Sequence, residues 1–261
     1  VVQLAVLGSP IAHSQSPRLH AAAYRALGLD WQYSAVDVDE ARLAGFISQL
    51  DDGWRGLSLT MPLKRGILPL LSTREPLVEL TGAANTVLID GGRLHGFNTD
   101  VYGVWAALSA TEHEVYDRVA ILGGGATAAS VLVAVDQLGA EEIEVFVRTA
   151  ANAAPLVALG EQLGFEVTVR ALGEPVDADV VVSTLPGGAT HDTVFAGEPL
   201  LLDVAYDPWP SALAQRWNGT VVSGLEMLLH QAHAQVATFV TGSPAGELDP
   251  DVLPAMRASL A

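Results

Sequence analysis

The sequence predicts an α/β protein of two domains, and three observations lead there. Short apolar strands alternate with amphipathic helical stretches along the chain, the pattern of sheets covered by helices. The run Val119-Ala120-Ile121-Leu122 passes straight into Gly123-Gly124-Gly125, then into Ala-rich sequence with no breaker until Gly139. That reads as strand, tight turn and helix. This unit starts only near residue 118, so the first hundred or so residues need a second sheet. Largely parallel sheets are expected in both.

Composition narrows the function. Of 261 residues half are hydrophobic and 16% are charged, so most elements should be buried on one face or both. A net charge of −17 argues against nucleic acid and anionic membrane surfaces as partners. An anionic small molecule would need a locally positive pocket, which makes each cation in an apolar setting informative. With no cysteine, disulfides and Cys-based zinc sites are excluded. The sequence opens directly on strand-like residues, so no signal peptide is expected and a cytoplasmic location is. The uncharged run Val119–Val135 is split by its glycines and is not read as a membrane span.

The first domain is expected to run strand 2–7, helix 17–27, strand 31–37, helix 40–50 and strand 54–59. Helical segments at 63–71 and 74–80 follow, then strands 84–90 and 93–97 joined by Asp90-Gly91-Gly92. Helix 99–110 leads to the Gly-rich unit. Beyond it come strand 142–147, helix 151–163 and strands 165–170, 179–184, 200–204 and 220–222. A long helix over 224–241 and a short C-terminal helix close the chain.

Three loops of the first half carry polar groups suited to a ligand. The loop Gly8–Pro17 follows the first strand, where open α/β sheets bind ligands. It offers the hydroxyls of Ser14 and Ser16 at a helix start, suited to a carboxylate or phosphate; Ser16 also fits a plain N-cap. His13 reads as structural. After strand 54–59, Pro62 starts a helix that carries Lys64, one of few cations, beside an apolar strand. A partly desolvated ammonium there can polarise a carbonyl and donate a proton. Asn85 can both donate to and accept from hydroxyls. Asp100 caps helix 99–110 or orients Lys64.

In the second half, Gly123-x-Gly125-x-x-Ala128 fits the dinucleotide-binding form G-x-G-x-x-[GA] of a Rossmann-type parallel sheet. No Gly-Lys-Ser/Thr closes the turn, which excludes a Walker-type phosphate loop. An NAD-specific site would carry Asp or Glu at the end of the second strand, to hold the ribose 2′-hydroxyl. Val147 and Arg148 stand there instead, and a guanidinium pairs with a 2′-phosphate. The expected cofactor is therefore NADP(H).

These residues together resemble a known family. Gly-x-Pro-Ile-x-His-Ser-x-Ser-Pro (8–17), Leu-Ser-x-Thr-x-Pro-x-Lys (57–64), Gly-Ala-x-Asn-Thr (82–86) and Gly-x-Asn-Thr-Asp-x-x-Gly (96–103) look like shikimate dehydrogenase. So do the Gly-rich turn, Asp203-x-x-Tyr206-x-Pro208 and Gly224-x-x-Met227-Leu228-x-x-Gln231-Ala232, and the match runs in order through nearly the whole chain. The resemblance implies NADP-dependent, reversible oxidation of shikimate to 3-dehydroshikimate, the reduction being the step in aromatic amino acid and chorismate biosynthesis. It implies a substrate domain, 1–100 completed by 224–261, and an NADP-binding domain, 101–223. Helix 99–110 and the helix from 224 would be the crossings. Lys64 and Asp100 would be the catalytic pair. Ser14 and Ser16 would hold the substrate carboxylate, and Thr60, Asn85 and Gln231 the ring hydroxyls, with Tyr206 nearby.

For the cofactor, the resemblance points to Gly123, Gly124, Gly125 and Ala126 at the turn. Arg148, Thr149, Thr184 and Gly224 complete that set. The chain departs from the family in reading Gly123-Gly124-Gly125-Ala126-Thr127 for Gly-Ala-Gly-Gly-Ala. Val147-Arg148-Thr149 replaces Asn-Arg-Thr and keeps the cation. Small molecules are the expected partners, with the chain a monomer or homodimer. Two alternatives stand beside this reading, a quinate/shikimate dehydrogenase and a non-catalytic nucleotide-binding relative. No metal is expected: Glu226, His230 and His233 share a helix face, but seven residues span roughly 10 Å, too far for one ion to hold the outer two.

Overall fold

The computed structural model describes residues 1–260, which form two compact units. Unit one is Val1–Thr99 with Leu228–Ala261, and unit two is Asp100–Met227.

Unit one starts with β1 (Val2–Gly8), α1 (Ser16–Ala26), β2 (Trp31–Asp37), α2 (Glu40–Ile47) and β3 (Trp54–Leu59). The one-turn α3 (Leu63–Gly66) and a 3-10 turn at Leu68–Leu70 follow. Next come β4 (Thr73–Arg74), α4 (Pro76–Thr81), β5 (Thr86–Asp90) and β6 (Arg93–Phe97). The sheet order is β2-β1-β3-β5-β6-β4. It is parallel-rich, as expected, with one antiparallel insertion: β1 pairs in parallel with β2 and β3, and β4 with β6, while β5 runs antiparallel to β3 and β6. The tight Asp90-Gly91-Gly92 connection allows only a hairpin there, since a parallel neighbour needs a longer crossover. The strand β4 is absent from the sequence reading, and at two exposed residues it is too short to leave a pattern.

Alternation along β1 splits this core in two. Ala5 and Leu7 pack with Leu57, Leu59 and Leu63 on one face. Leu4 packs on the other, with Leu19 and Tyr24 of α1 and with Leu229, Val236 and Phe239. The latter three lie on α8 (Gly224–Thr241), and α9 (Val252–Ala258) closes the same cluster through Val252 and Met256. Burying each such Leu, Val or Phe contributes about 1.5–3 kcal/mol.

Unit two holds α5 (Asp100–Ser109), β7 (Arg118–Leu122), α6 (Ala126–Gln137), β8 (Glu142–Val147), α7 (Ala154–Leu163) and β9 (Val167–Ala171). The strands β10 (Val180–Ser183), β11 (Leu200–Asp203) and β12 (Val221–Ser223) complete it. All six strands are parallel, in the order β12-β11-β10-β7-β8-β9. Helices cover such a sheet on both faces, which is why Val119–Leu122 and Val180–Ser183 are buried throughout. At the N-terminal edge Arg118 pairs with Asp177 at 2.9 Å and with Asp179 at 3.0 Å. No helix among the described residues is long and apolar enough to cross a membrane.

Candidate functional site

In unit one the chain leaves β1 for β2 on one side and then β3 on the other, so the order reverses at β1. Open α/β sheets bind ligands at such a point, outside the C-terminal strand ends. The two loops there are stitched together by the main chain, Ser9 N–H to the Met61 carbonyl at 3.0 Å and Thr60 N–H to the Leu7 carbonyl at 2.9 Å. Each contains a cis proline, Pro10 and Pro62.

Four of the expected site residues lie on these loops. Ser16 is the first residue of α1 and Gln15 is its N-cap, without a side-chain bond, so the N-cap reading of Ser16 does not hold. It is Ser14 whose Oγ accepts from the Ser16 N–H, at 3.3 Å. Ser16 is 5% exposed and Ser14 partly so. Lys64, in α3, is half-buried, and its carbonyl accepts the Ala84 N–H at 2.8 Å, which ties it to the segment that carries Asn85. Thr60 accepts the Leu63 N–H on its carbonyl at 2.8 Å and is itself partly exposed.

Asn85 is 2% exposed, so its polar atoms need partners inside the protein. Its Oδ1 accepts the Thr99 N–H at 2.9 Å and the Thr86 hydroxyl at 2.8 Å. Its Nδ2 donates to Thr99 Oγ1 at 2.9 Å and to Gln231 Oε1 at 3.2 Å. Gln231 donates in turn to the Leu228 carbonyl at 2.9 Å. The structure thus brings Asn85, Thr99 and Gln231 together, with Asn85 acting as both donor and acceptor within the cluster. Asp100 follows Thr99 directly as the first residue of α5 and is 4% exposed. Nearby, Asn98 donates to Thr81 Oγ1 at 2.8 Å, and burial raises the carboxyl of Glu75, which accepts the Asn98 N–H.

In unit two the strand order reverses between β7 and β10. Gly123 follows β7 with φ of +114°, where an L side chain is strained, and an added Cβ would strike Thr184 Oγ1. Thr184 sits at the end of β10 and donates to the Leu122 carbonyl at 2.9 Å, so its hydroxyl buttresses the turn. Gly124 packs on the Asn152 carbonyl, which a Cβ would approach to 2.6 Å. Gly125 caps α6 in extended conformation with no side-chain cap bond, and a Cβ on it would meet open space. Ala126 opens the helix, and its first-turn N–H groups and dipole suit an anionic phosphate. Arg148 and Thr149 follow β8 directly and are exposed.

The end of β11 is tightly tied. Asp203 accepts from Ser211 and from the Ala205 N–H, and burial raises its carboxyl against the effect of these bonds. They close a loop that presents Tyr206, whose phenol is raised by burial and by Asp207. Gly224 begins α8 where a Cβ would collide with the Val204 carbonyl. Among the described residues no cluster of His, Asp or Glu suits a metal ion, and burial lowers His233.

Comparison with known proteins gives the family. The substrate binding domain of shikimate dehydrogenase matches residues 6–87. A shikimate dehydrogenase (NADP(+)) of Citrifermentans bemidjiense is 36% identical, over 92% of this chain and 90% of its own. The chain belongs to the shikimate dehydrogenase family. The crystal structure of the Mycobacterium tuberculosis shikimate dehydrogenase is similar with a TM-score of 0.83 and 40% identity, covering 100% of this chain and 99% of that one. That of a Thermus thermophilus shikimate 5-dehydrogenase, in complex with NADP(H) and shikimate, has a TM-score of 0.81 and 30% identity, covering 99% and 100%.

Within this family member, the motif-bearing loops are not the whole of the polar core. Beneath Asn85 and Gln231 lie His20, Tyr33, Ser58, Thr86 and Gln235, hydrogen-bonded side chains to which the sequence assigns no role, although Ser58 and Thr86 stand within the motifs. A signal for two of them exists in the sequence. Gln235 stands one helical turn after Gln231, and Ser58 alternates between Leu57 and Leu59, so it faces away from their core.

Proposed function

We propose that this protein is an NADP-dependent shikimate dehydrogenase, interconverting shikimate and 3-dehydroshikimate. The observation that carries the proposal is that one chain holds both a buried polar cluster around Asn85 in its first sheet and, in its second, a glycine turn after β7 with an exposed arginine after the adjacent β8. The turn fits the cofactor: Gly123–Ala126 would take the pyrophosphate, with Thr184 and Gly224 holding the backbone around it. Arg148, beside Thr149, would take the 2′-phosphate. Bound NADPH supplies the hydride.

The chain's own residues bind and orient. Ser14 and Ser16 hold the substrate carboxylate; Thr60, Asn85 and Gln231 hold ring hydroxyls, with Tyr206 close by. The Lys64 ammonium stabilises charge on the carbonyl oxygen and delivers the proton that makes it a hydroxyl, and Asp100 orients that ammonium. In the oxidative direction Lys64 takes the proton back. The enzyme is proposed to work in the cytoplasm on small molecules, as a monomer or homodimer.

The test is the absorbance of reduced nicotinamide, followed with shikimate and NADP and, in parallel, with quinate and with NAD. Turnover of shikimate with NADP well above the other combinations is expected. No turnover of either acid with either cofactor would leave a nucleotide-binding protein without catalysis.

A further inference from the structure

Under the substrate cluster runs a buried chain of hydrogen bonds whose direction is set by one main-chain carbonyl. Gln235 Nε2 points at the Asn85 carbonyl, 3.2 Å away, and at Thr86 Oγ1, 3.1 Å away. A carbonyl only accepts, so this end of the amide is the NH2 and the other is Oε1. Oε1 meets Ser58 Oγ at 2.8 Å and His20 Nε2 at 3.2 Å. An amide oxygen also only accepts, so Ser58 donates and His20 carries its proton on Nε2. His20 Nδ1 then accepts from the Tyr24 hydroxyl at 3.0 Å. Ser58 has used its single proton and accepts from Tyr33 at 2.7 Å.

The second branch leads to Asn85. Thr86 Oγ1 accepts from Gln235 and therefore donates onward to Asn85 Oδ1 at 2.8 Å, beside the Thr99 N–H. Both lone pairs of Oδ1 are then filled, and the amide is held with its NH2 on the other side, toward Gln231. Reversing Gln235 would set its oxygen against the Asn85 carbonyl, which only accepts.

We propose that Gln235 and Thr86 are positioning residues for substrate binding, which hold the Asn85 amide in a single orientation, oxygen toward Thr86 and NH2 toward Gln231. This rests on the proposed reading of Asn85 as a substrate contact. The relay orients the amide before substrate arrives, so its loss should weaken binding far more than it slows turnover.

The first test is Thr86→Val, nearly isosteric but without the hydroxyl, against Thr86→Ser, which keeps it. Loss of one hydrogen bond predicts a rise in KM for shikimate of roughly threefold to tenfold in Thr86→Val, with kcat nearly unchanged and with KM restored in Thr86→Ser. The second is Gln235→Glu. A protonated carboxyl offers an acceptor oxygen and a single donor, so it keeps one of the amide's two donated bonds; an ionised one offers acceptors only. The other titratable groups on the chain of bonds are His20, kept neutral by burial down to about 3, and the phenols of Tyr24 and Tyr33, raised by burial. Relative to wild type at each pH, KM of Gln235→Glu should therefore rise as pH rises through the carboxyl's pKa.

A Thr86→Val enzyme with wild-type KM, or Gln235→Glu parallel to wild type at all pH values, overturns the inference. Asn85→Ala separates the two levels. If it raises KM while the relay variants do not, only the relay falls; if it leaves KM unchanged, the reading of Asn85 falls as well. Should Gln235→Glu not fold, the Thr86 pair decides alone.

Discussion

Thr184 donates its hydroxyl proton to the Leu122 carbonyl at 2.9 Å, which leaves its Oγ1 standing where a side chain on Gly123 would have to go. The turn is therefore closed to substitution twice over, by this contact and by the positive φ of Gly123. Gly123→Ala is expected to cost about 1–3 kcal/mol of stability from backbone strain and to raise KM for NADP, with KM for shikimate little changed. Adding Thr184→Ala removes the obstacle but not the φ, so the double variant should recover only part. Thermal denaturation and steady-state kinetics check this, and a Gly123→Ala protein as stable as wild type would contradict it.

Lys64 should act in the chemical step. Lys64→Ala is expected to lower kcat by roughly 10²–10⁴, the scale of a positioned acid–base group, with a smaller change in KM. Retention of more than about a tenth of kcat would remove it from the mechanism. Ser14→Ala and Ser16→Ala, by contrast, each remove a bond to a charged acceptor worth about 1.5–3 kcal/mol, and should raise KM for shikimate roughly tenfold to a hundredfold. Because Gln15 caps α1, a loss of stability without a change in KM would not be explained by capping at Ser16.

The difference between what was legible in the sequence and what was not follows from range. The β7–turn–α6 unit is local: four apolar residues, three glycines and a helix former run are contiguous, so strand, turn and helix could all be read. The loops bearing Ser14, Lys64 and Asn85 could be read because motif residues cluster at strand ends. The relay could not, because it joins residues as far apart as His20 and Gln235, with Ser58 and Thr86 between them in sequence. Each of these is a common polar residue among apolar neighbours, and only the packing of α8 on the first sheet brings them together. The same holds for the bond from Thr184, which the resemblance placed in the cofactor set, to the Leu122 carbonyl, sixty-two residues away in sequence.

Arg148 should govern cofactor choice. It follows β8 directly, is exposed, and is flanked by Val147 and Thr149, so no carboxylate adjoins it there in sequence. A charge-assisted contact to the 2′-phosphate favours NADP over NAD by about 1.5–3 kcal/mol, roughly tenfold to a hundredfold, and exposure places the value near the lower end. Arg148→Ala should raise KM for NADP by most of that factor and leave KM for NAD nearly unchanged. The NADP advantage of wild type should also shrink at high salt, while that of the variant should not. Equal use of both cofactors by wild type would show that Arg148 does not engage the phosphate.

His20 gives the protein a pH dependence that is independent of catalysis. Burial pushes its pKa from 6.5 down to about 3, with the Gln235 bond opposing weakly, so the folded state holds it uncharged. The unfolded chain binds its proton near 6.5, the folded one only near 3. His20 therefore contributes its full stability above about pH 6.5, and this is lost as pH falls toward 3, at up to about 1.4 kcal/mol per pH unit. Glu75 and Asp203, whose carboxyls burial raises, act with the opposite sign: they favour the fold more as pH falls. They are common to wild type and variant, so a comparison removes them. His20→Phe keeps a ring against Tyr33, 3.8 Å away, but leaves Tyr24 and Gln235 each without one partner. It should be less stable than wild type at neutral pH, and its melting temperature should fall less steeply between about pH 6.5 and 4.5. Two curves that fall in parallel would mean that His20 takes up its proton without unfolding the chain, and the buried relay around Gln235 would then have to accept a charged imidazole.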